Sequence, residues 1–278
     1  MIMLALDVIS TAAVLFIVSA GLLIVFGVMK IVNFAHGAFI TLGAYAALVA
    51  SQLGLLWLLA PLVAFLTALA AGAVIETAIV RRLYDRKLDA ILATWGLGIV
   101  LGQLITLAFG RGVQFVETPV TGTASLFGAE YSIYRLLLVG AAIMLGVVFA
   151  GLLGGTRLGL ATRAVIMNEE LSQGLGIDST KVRLLTFGIG SGLAGIAGAL
   201  ITPISSVDPN MGIPWLINAF MLVMVSGGSL VVLASSCLIL GGLQVLASTF
   251  VSPVIGGLTI AVVAAIALRL RPEGFARA

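Results

Sequence analysis

The polar residues that could do chemistry are few, and they do not form a catalytic set. His36 is the only histidine and Cys237 the only cysteine, and Cys237 lies inside an apolar run. The sequences G-x-S-x-G, H-E-x-x-H and G-x-x-x-x-G-K-S/T do not occur, so no serine nucleophile, metalloprotease zinc site or phosphate-cradling loop is encoded. We therefore predict that the chain is not an enzyme, binds no metal or cofactor, and does not itself hydrolyse ATP.

A first cluster of polar residues interrupts the apolar sequence near the N-terminus. Residues 27–45 place Lys30, Asn33 and His36 between two apolar runs and among glycines. Polar groups at membrane depth are costly unless they face protein or water. Two interpretations stay open, a plain turn between two helices or a broken helix that lines a substrate path. In the second interpretation Asn33, His36 and Thr41 are candidates for the translocation path.

A second polar interruption lies closer to the C-terminus. Asn218 and Gln244 fall within apolar runs, and the sequence SGGSL at 226–230 breaks the apolar stretch between them. A glycine-rich break at membrane depth can turn the chain inside a protein-lined cavity, and ordinary hairpin geometry explains it equally well. Asn218 is a further candidate for the translocation path.

A long polar loop separates two apolar runs in the second half of the chain. Residues 154–183 predict a short amphipathic helix that ends near Gly174 or Gly176, because glycine suits a helix C-terminus. Asn168 and the two glutamates after it would form the polar face of this helix, which would lie along the membrane surface. The residues expected to pack inward are Val165, Ile166 and Leu171. Because long loops usually have a function, we interpret the segment as a docking element.

The elements that must position these residues are membrane helices. The chain is 61% hydrophobic and 9% charged, with a mean hydropathy of +1.26, whereas soluble domains average about a quarter charged residues. We predict an all-α, polytopic bundle of eight or nine spans in a single domain, 1–278, with the first run retained as a span. One of the last three spans, which are short and glycine-rich, is a candidate re-entrant segment. The candidate spans are 8–29, 35–53, 56–80, 90–110, 133–153, 183–203, 215–228, 231–250 and 254–268.

Basic residues are concentrated in three segments between or after the apolar runs. They are Arg81, Arg82, Arg86, Lys87, Arg157, Arg163, Lys181, Arg183, Arg269, Arg271 and Arg277. The positive-inside rule predicts that these segments, and with them the C-terminus, are cytoplasmic, and that the N-terminus and the loops 111–132 and 204–214 face outward. The net charge of +3 does not indicate a nucleic-acid partner, because the basic residues are not interleaved with aromatic ones.

Small residues recur at four-residue spacing within the spans. Such faces let helix backbones approach closely in lipid, and we expect them to serve helix packing within the subunit. The repeated residues are Gly98 with Gly102, Gly151 with Gly155, and the run Gly188, Ser191, Gly192, Gly195 and Gly198.

Three stretches of the chain resemble a known family. They are GLLIVFGVMKIVNFAHGAFITLGAY at 21–45, RAVIMNEELSQGLGIDSTKVRLLTFGIGSGLAGIAGAL at 163–200 and LRLRPEGFAR at 268–277. Together they are similar to the LivH-type permeases of bacterial branched-chain amino acid ABC importers. The first two stretches are long and ordered, and they coincide with two of the polar interruptions described above.

The resemblance implies a permease subunit in the bacterial inner membrane that works by alternating access. Its implied partners are a LivM-type permease, two cytoplasmic ATPases that use ATP and Mg, and a periplasmic or extracellular substrate-binding protein. The implied cargo is a branched-chain or related hydrophobic amino acid, and urea, short amides or other small organic acids are alternatives. The residues that the resemblance places in the ATPase-coupling segment are Arg163, Asn168, Glu169, Glu170, Gly174 and Gly176.

An ion-coupled secondary carrier or channel is the main rival interpretation. Such a protein normally needs membrane-buried ionisable residues. Glu76 is the only acid clearly inside a candidate span, and Arg81 lies close enough in the sequence to pair with it. This pattern favours the importer subunit over the carrier.

Overall fold

Helices dominate the structure, as expected for apolar segments whose backbone groups need hydrogen-bond partners within the segment in lipid. The computed structural model describes residues 1–126, 128–271, 274 and 275, so the predicted cytoplasmic residue Arg277 lies outside the described part. The α-helices are α1 (Ile2–Met29), α2 (His36–Gln52), α3 (Ala60–Ala78), α4 (Lys87–Phe109), α5 (Ile133–Gly155), α6 (Arg157–Met167), α7 (Glu169–Gly174), α8 (Ser179–Ile201), α9 (Gly212–Ser226), α10 (Leu230–Phe250) and α11 (Pro253–Leu270). The remaining elements are the 3₁₀ turns Trp57–Leu59, Val80–Leu83 and Thr202–Ile204 and the strands β1 (Thr123–Leu126) and β2 (Ala129–Ser132).

The expected all-α membrane bundle is confirmed. All nine predicted apolar segments are helical, and within the described residues seven helices are long and apolar enough to cross a membrane, among them α1, α4, α5, α10 and α11. The other two are α3 and α8, each with its adjoining 3₁₀ turn. Helices α2 and α9 have 17 and 15 residues, at and just below the short end of the roughly 17–25 residues that span a bilayer. The chain therefore combines seven full-length candidate spans with two shorter helices.

Helices α1 and α8 form the centre of the bundle. In the most apolar stretch of α1, 89% of the residues are buried, and in that of α8, 72% are, whereas the share is 17% in α4, α5 and α11. A Cβ on Gly195 would overlap backbone atoms of α3, and one on Gly198 would overlap α2. The expected packing role is therefore confirmed for the glycines of α8. It is wrong for Gly151 and Gly155, because a Cβ added at either position would meet no described atom within 4 Å.

The two ends of the bundle differ in character. At one end, the hairpin end, β1 and β2 pair antiparallel, and Asp7 of α1 accepts hydrogen bonds from Tyr131 (2.9 Å) and Arg135 (3.1 Å). At the other end, the basic end, the last turn of α1 packs against α6 and the start of α8 through Val28. Helix α1 thus runs from the hairpin end to the basic end.

The chain breaks after α1 and resumes deep inside the bundle. Lys30 ends α1 in the left-handed conformation, with φ of 50°, and α2 begins at His36. The His36 ring nitrogen Nε2 lies 2.9 Å from the carbonyl oxygen of Val18. Because α1 continues from Val18 to Met29, α2 begins about 16 Å from the basic end of α1, at 1.5 Å per residue. The sequence 27–45 therefore encodes an interruption between two helices, the second of which starts at mid-depth.

Candidate functional site

The first turns of α2 and α9 meet inside the bundle. The backbone N–H of Gly212 donates to Thr41 Oγ1 (3.1 Å), and the same hydroxyl donates to the Gly37 carbonyl (3.2 Å). A Cβ on Gly37 would lie 2.8 Å from the Gly212 carbonyl oxygen, so glycine at these two positions permits the close approach. Two helix N-termini are thereby held next to each other at mid-depth.

A cavity of about 160 Å³ lies where α2 and α9 begin, and α4 forms its third wall. Its apolar lining residues are Phe34, Ala38, Trp95, Ile99, Ile213 and Leu216. Two glycines of α4, Gly98 and Gly102, also line the cavity, and their lack of side chains leaves space for it. The same pair contacts the segment between α1 and α2 and the loop before α9. The side chains of Trp95, Ile99 and Ile213 are more than half exposed, so the cavity is open on this side of the protomer.

The break before α2 is held by its own polar residues. Asn33 Oδ1 accepts the backbone N–H of Ala35 (3.0 Å), and the N–H of Phe34 donates to Thr94 Oγ1 of α4 (3.2 Å). The Phe34 ring meets Trp95 edge to face, with 5.4 Å between ring centroids. These contacts place Phe34 between the break and the cavity wall.

The predicted translocation-path residues occupy different places. Thr41 lines the cavity. Asn33 and His36 are buried at the break, His36 is bonded to α1, and neither is among the cavity-lining residues. Asn218 is half-buried further along α9 and does not line the cavity either. The contribution of α4 was not predicted, because nothing in an evenly apolar helix indicates which of its faces meets another helix.

A polar vestibule adjoins the cavity toward the hairpin end. Its lining residues are Gln103, Thr106, Arg111, Asp208, Pro209 and Asn210, of which Gln103, Pro209 and Asn210 also line the cavity. Backbone hydrogen bonds of 2.8 and 2.9 Å join Gln114 to Val207 and so hold the segments carrying Arg111 and Asp208 beside each other. The cavity and the vestibule therefore adjoin at three shared residues, with a mostly apolar lining in the first and charged side chains in the second.

The loop between α5 and α8 contains two short helices, where one was predicted. Asn168 is extended, with φ of −156°, and ends α6, and its Oδ1 accepts the N–H of Leu171 (2.9 Å) to cap α7. Asparagine competes with helical hydrogen bonding in this way and favours caps. Val165 packs against α1 and α8 as expected. The inward position predicted for Leu171 is wrong, because its side chain is 62% exposed.

We refer to residues 157–176, which contain the six residues predicted to couple to an ATPase, as the coupling segment. Arg163, Glu170, Gly174 and Gly176 are exposed on it. It also presents apolar side chains at four-residue spacing that are 62–85% exposed, namely Met167, Leu171 and Leu175. No described atom lies within 4 Å of a Cβ placed on Gly174. The coupling segment is therefore an unpartnered, partly apolar surface in the protomer.

An ionic chain joins the coupling segment to a buried carboxylate. Glu169 forms an ion pair with Arg183, whose guanidinium carbon lies 4.1 Å from the Tyr84 ring centroid. The Tyr84 hydroxyl donates to Glu76, and Arg81 lies 3.4 Å from the same carboxylate. Glu76 is fully buried. Burial, with the hydrogen bond to Glu76, raises the pKa of Tyr84 well above its ordinary value, so the phenol stays protonated and remains a donor.

Comparison with known proteins decides what kind of protein carries this site. Residues 4–270 match the family described as "Branched-chain amino acid transport system / permease component". This chain belongs to that family. The permease is therefore a multi-pass membrane protein that moves a solute, and its resemblance to the LivH-type permeases is confirmed.

Several relatives match most of this permease. The LivH permease protein of Salmonella typhimurium, named for high-affinity branched-chain amino acid transport, is 27% identical over 255 residues, which cover 85% of this chain and 82% of the relative. The BraD protein of Pseudomonas aeruginosa, named for the same transport, is 27% identical over 229 residues, covering 76% and 74%. The ribose import permease RbsC of Escherichia coli K12 is 30% identical over 174 residues, covering 61% and 53%.

A solved structure shares the fold of the permease. PsaBC from Streptococcus pneumoniae in complex with Fab matches with a TM-score of 0.53 and 14% identity, over 96% of this chain and 91% of that chain. This similarity concerns the helical architecture alone.

Proposed function

We propose that this permease is the membrane subunit of an ATP-driven ABC importer that carries branched-chain or related hydrophobic amino acids by alternating access. The observation that carries the proposal is the apolar cavity at the start of α2 and α9. Secondary transporters commonly place their substrate at mid-depth, where interrupted helices begin, and the proposal extends this placement to the importer. The LivH and BraD relatives are named for this class of cargo.

The proposed orientation puts the basic end in the cytoplasm. Arg81 and Arg183 lie at this end, together with the exposed Arg163, and cytoplasmic loops are enriched in such residues. The N-terminus and the hairpin then face outward. A substrate-binding protein would deliver its ligand at the hairpin end, where the vestibule lies.

The coupling segment is the proposed docking site of the ATPases. Exposed apolar side chains such as Met167 and Leu171 are what a groove on a partner buries. ATP and Mg would be bound by two ATPase subunits. A second permease of the LivM type would cover the open side of the cavity, where Trp95 and Ile99 are exposed.

The ionic chain supports the importer over an ion-coupled carrier. A coupling carboxylate has to exchange a proton or metal ion with the transport path. Glu76 is instead occupied by Tyr84 and Arg81 near the basic end, and it is not among the residues that line the cavity or the vestibule. The energy for transport is therefore assigned to ATP hydrolysis in the partner subunits.

Replacement of Gly174 by tryptophan tests the docking surface. The new side chain points into open space, so the protein should fold and assemble, but it should obstruct the ATPase. We expect uptake of L-leucine into proteoliposomes to fall at least about tenfold while the ATPases retain basal activity, since 1.4 kcal/mol of lost coupling is one factor of ten. Gly140→Trp is the matched control, because Gly140 also meets no described atom within 4 Å and lies on α5.

Two results would contradict the proposal. Normal uptake by Gly174→Trp would remove the coupling segment from the mechanism. Failure of the wild-type chain to co-purify with two ATPase subunits would contradict the importer assignment as a whole.

A further inference from the structure

The cavity and the vestibule have complementary chemistry. We propose that they form one binding site for a zwitterionic amino acid, with the aliphatic side chain in the cavity, the α-carboxylate at Arg111 and the α-ammonium group at Asp208. This proposal rests on the proposed importer function and adds the residues that read the substrate. It makes Arg111 and Asp208 specificity-determining residues of the permease.

The cavity suits a small aliphatic group. Its volume is about 160 Å³, close to the roughly 150 Å³ of an apolar protein cavity that holds one benzene molecule. No charged side chain among the described residues lines it, and the hydroxyl of Thr41 is already engaged by Gly37 and Gly212. Its other polar side chains, Gln103 and Asn210, lie on the boundary with the vestibule. A ligand group seated in the cavity therefore has to be apolar, and its polar part has to extend into the vestibule.

The vestibule offers one charge of each sign. Within the ranges that the structure describes, Arg111 and Asp208 are the charged residues that line it. In the part of the chain that the structure describes, no carboxylate lies within 4.0 Å of a nitrogen of the Arg111 guanidinium. One oxygen of Asp208, Oδ1, accepts the N–H of Asn210 (2.9 Å), which fixes the carboxylate at the boundary with the cavity.

A zwitterion is the ligand that satisfies this arrangement. The backbone bridge between Gln114 and Val207 sets the two charged residues on adjoining segments, so a ligand with both charges on one carbon interacts with both. A monoamine or a monocarboxylate of the same shape leaves one protein charge without a partner. Sites built around polar contacts discriminate strongly against analogues that lack one of the groups.

Protection of an engineered cysteine measures occupancy directly. Cys237 is the only native cysteine and is buried, so Cys237→Ala gives a background without thiols in this chain. Ile99→Cys then places a thiol on the cavity wall, which the reagent would reach through the vestibule once a second permease covers the open side. The assembled permease and ATPase complex, without binding protein, is treated with a small maleimide. After denaturation, a polyethylene glycol maleimide labels the thiols that remain, and its gel shift measures the unmodified fraction of this chain.

L-leucine should slow the modification, whereas 3-methylbutylamine and 4-methylpentanoate, which each lack one charged group, should not at the same concentration. Arg111→Gln and Asp208→Asn should each raise the L-leucine concentration needed for half-protection at least about tenfold. Arg135→Gln is the control, because Arg135 is another arginine at the hairpin end and pairs with Asp7. It should leave protection unchanged.

Uptake by the same variants, assayed with binding protein in proteoliposomes and with native Ile99 and Cys237, separates the possible outcomes. One outcome overturns the site assignment and leaves the importer function standing. In it, the wild-type importer and both variants, Arg111→Gln and Asp208→Asn, transport L-leucine normally, and L-leucine does not protect the thiol at position 99. Equal protection by all three compounds would overturn the recognition of a zwitterion. If the wild-type importer does not transport L-leucine, the proposed cargo itself is wrong.

Discussion

Removal of the Tyr84 hydroxyl is the sharpest test of the ionic chain. Tyr84→Phe keeps the ring beneath the Arg183 guanidinium but deletes the donor to the fully buried Glu76 carboxylate. A hydrogen bond to a charged group contributes about 1.5–3 kcal/mol, and the unsatisfied buried oxygen cannot recover it from water. For a chain of this size, that loss corresponds to a fall in Tm of roughly 3–12 °C.

The single buried thiol provides the assay. Cys237 is 1% exposed, so a dye that fluoresces on reaction with thiols reports the unfolding of the purified full-length chain in detergent. Tyr134→Phe is the matched control, since the Tyr134 hydroxyl donates to the neutral carbonyl of Leu200 (2.8 Å). That bond is worth about 0.5–1.5 kcal/mol, so Tyr134→Phe should lower Tm by less. An equal or smaller loss of Tm in Tyr84→Phe would refute the view that Tyr84 stabilises a buried charge.

Two further substitutions test helix packing and capping. Gly198→Ala should lower Tm in the thiol assay by the equivalent of about 1–3 kcal/mol, because the added Cβ overlaps the backbone of α2. Gly151→Ala adds its Cβ in open space and should not lower Tm. Equal Tm values for the two variants would contradict the packing argument. Asn168→Ala removes the cap of α7 and should cost that helix about 1 kcal/mol. Amide hydrogen exchange in α7 should then be about fivefold faster, and unchanged exchange would show that the cap does not stabilise α7.

The sequence was sufficient to predict the elements of the bundle. Long apolar runs leave the backbone no alternative to helix in lipid, so every predicted segment is helical. The polar interruption at 27–45 also indicated correctly where the chain breaks. What the runs did not reveal is that α2 begins beside Val18, because that depth depends on how the five residues between Lys30 and His36 fold back against α1 and α4.

The residues of the site were harder to predict, because they depend on contacts between distant segments. The part of the cavity wall that was not predicted comes from α4 and from Pro209 and Asn210, and an evenly apolar helix gives no sign of which face meets α2. Glu76 and Arg81 are five residues apart in the sequence, and their ion pair was expected. The approach of Arg183 to Tyr84 joins positions 99 residues apart in the chain and needed the fold.

The order of elements along the chain connects the coupling segment to the cavity. Glu169 holds Arg183, Arg183 covers Tyr84, and α4 begins at Lys87, three residues after Tyr84. Helix α4 is mostly exposed and contributes Trp95 to the cavity wall, whereas the wall formed by α2 is fixed to α8 by glycine contacts. If an ATPase docks on the coupling segment as proposed, Arg183 would pass a movement of that segment both to Tyr84, just before α4, and to α8, of which Arg183 is part. Because α4 is the less tightly packed of the two helices, Tyr84→Phe should lower the uptake achieved per ATP hydrolysed as well as Tm. Unchanged coupling in that variant would leave α4 with no link to the ATPase through this chain of contacts.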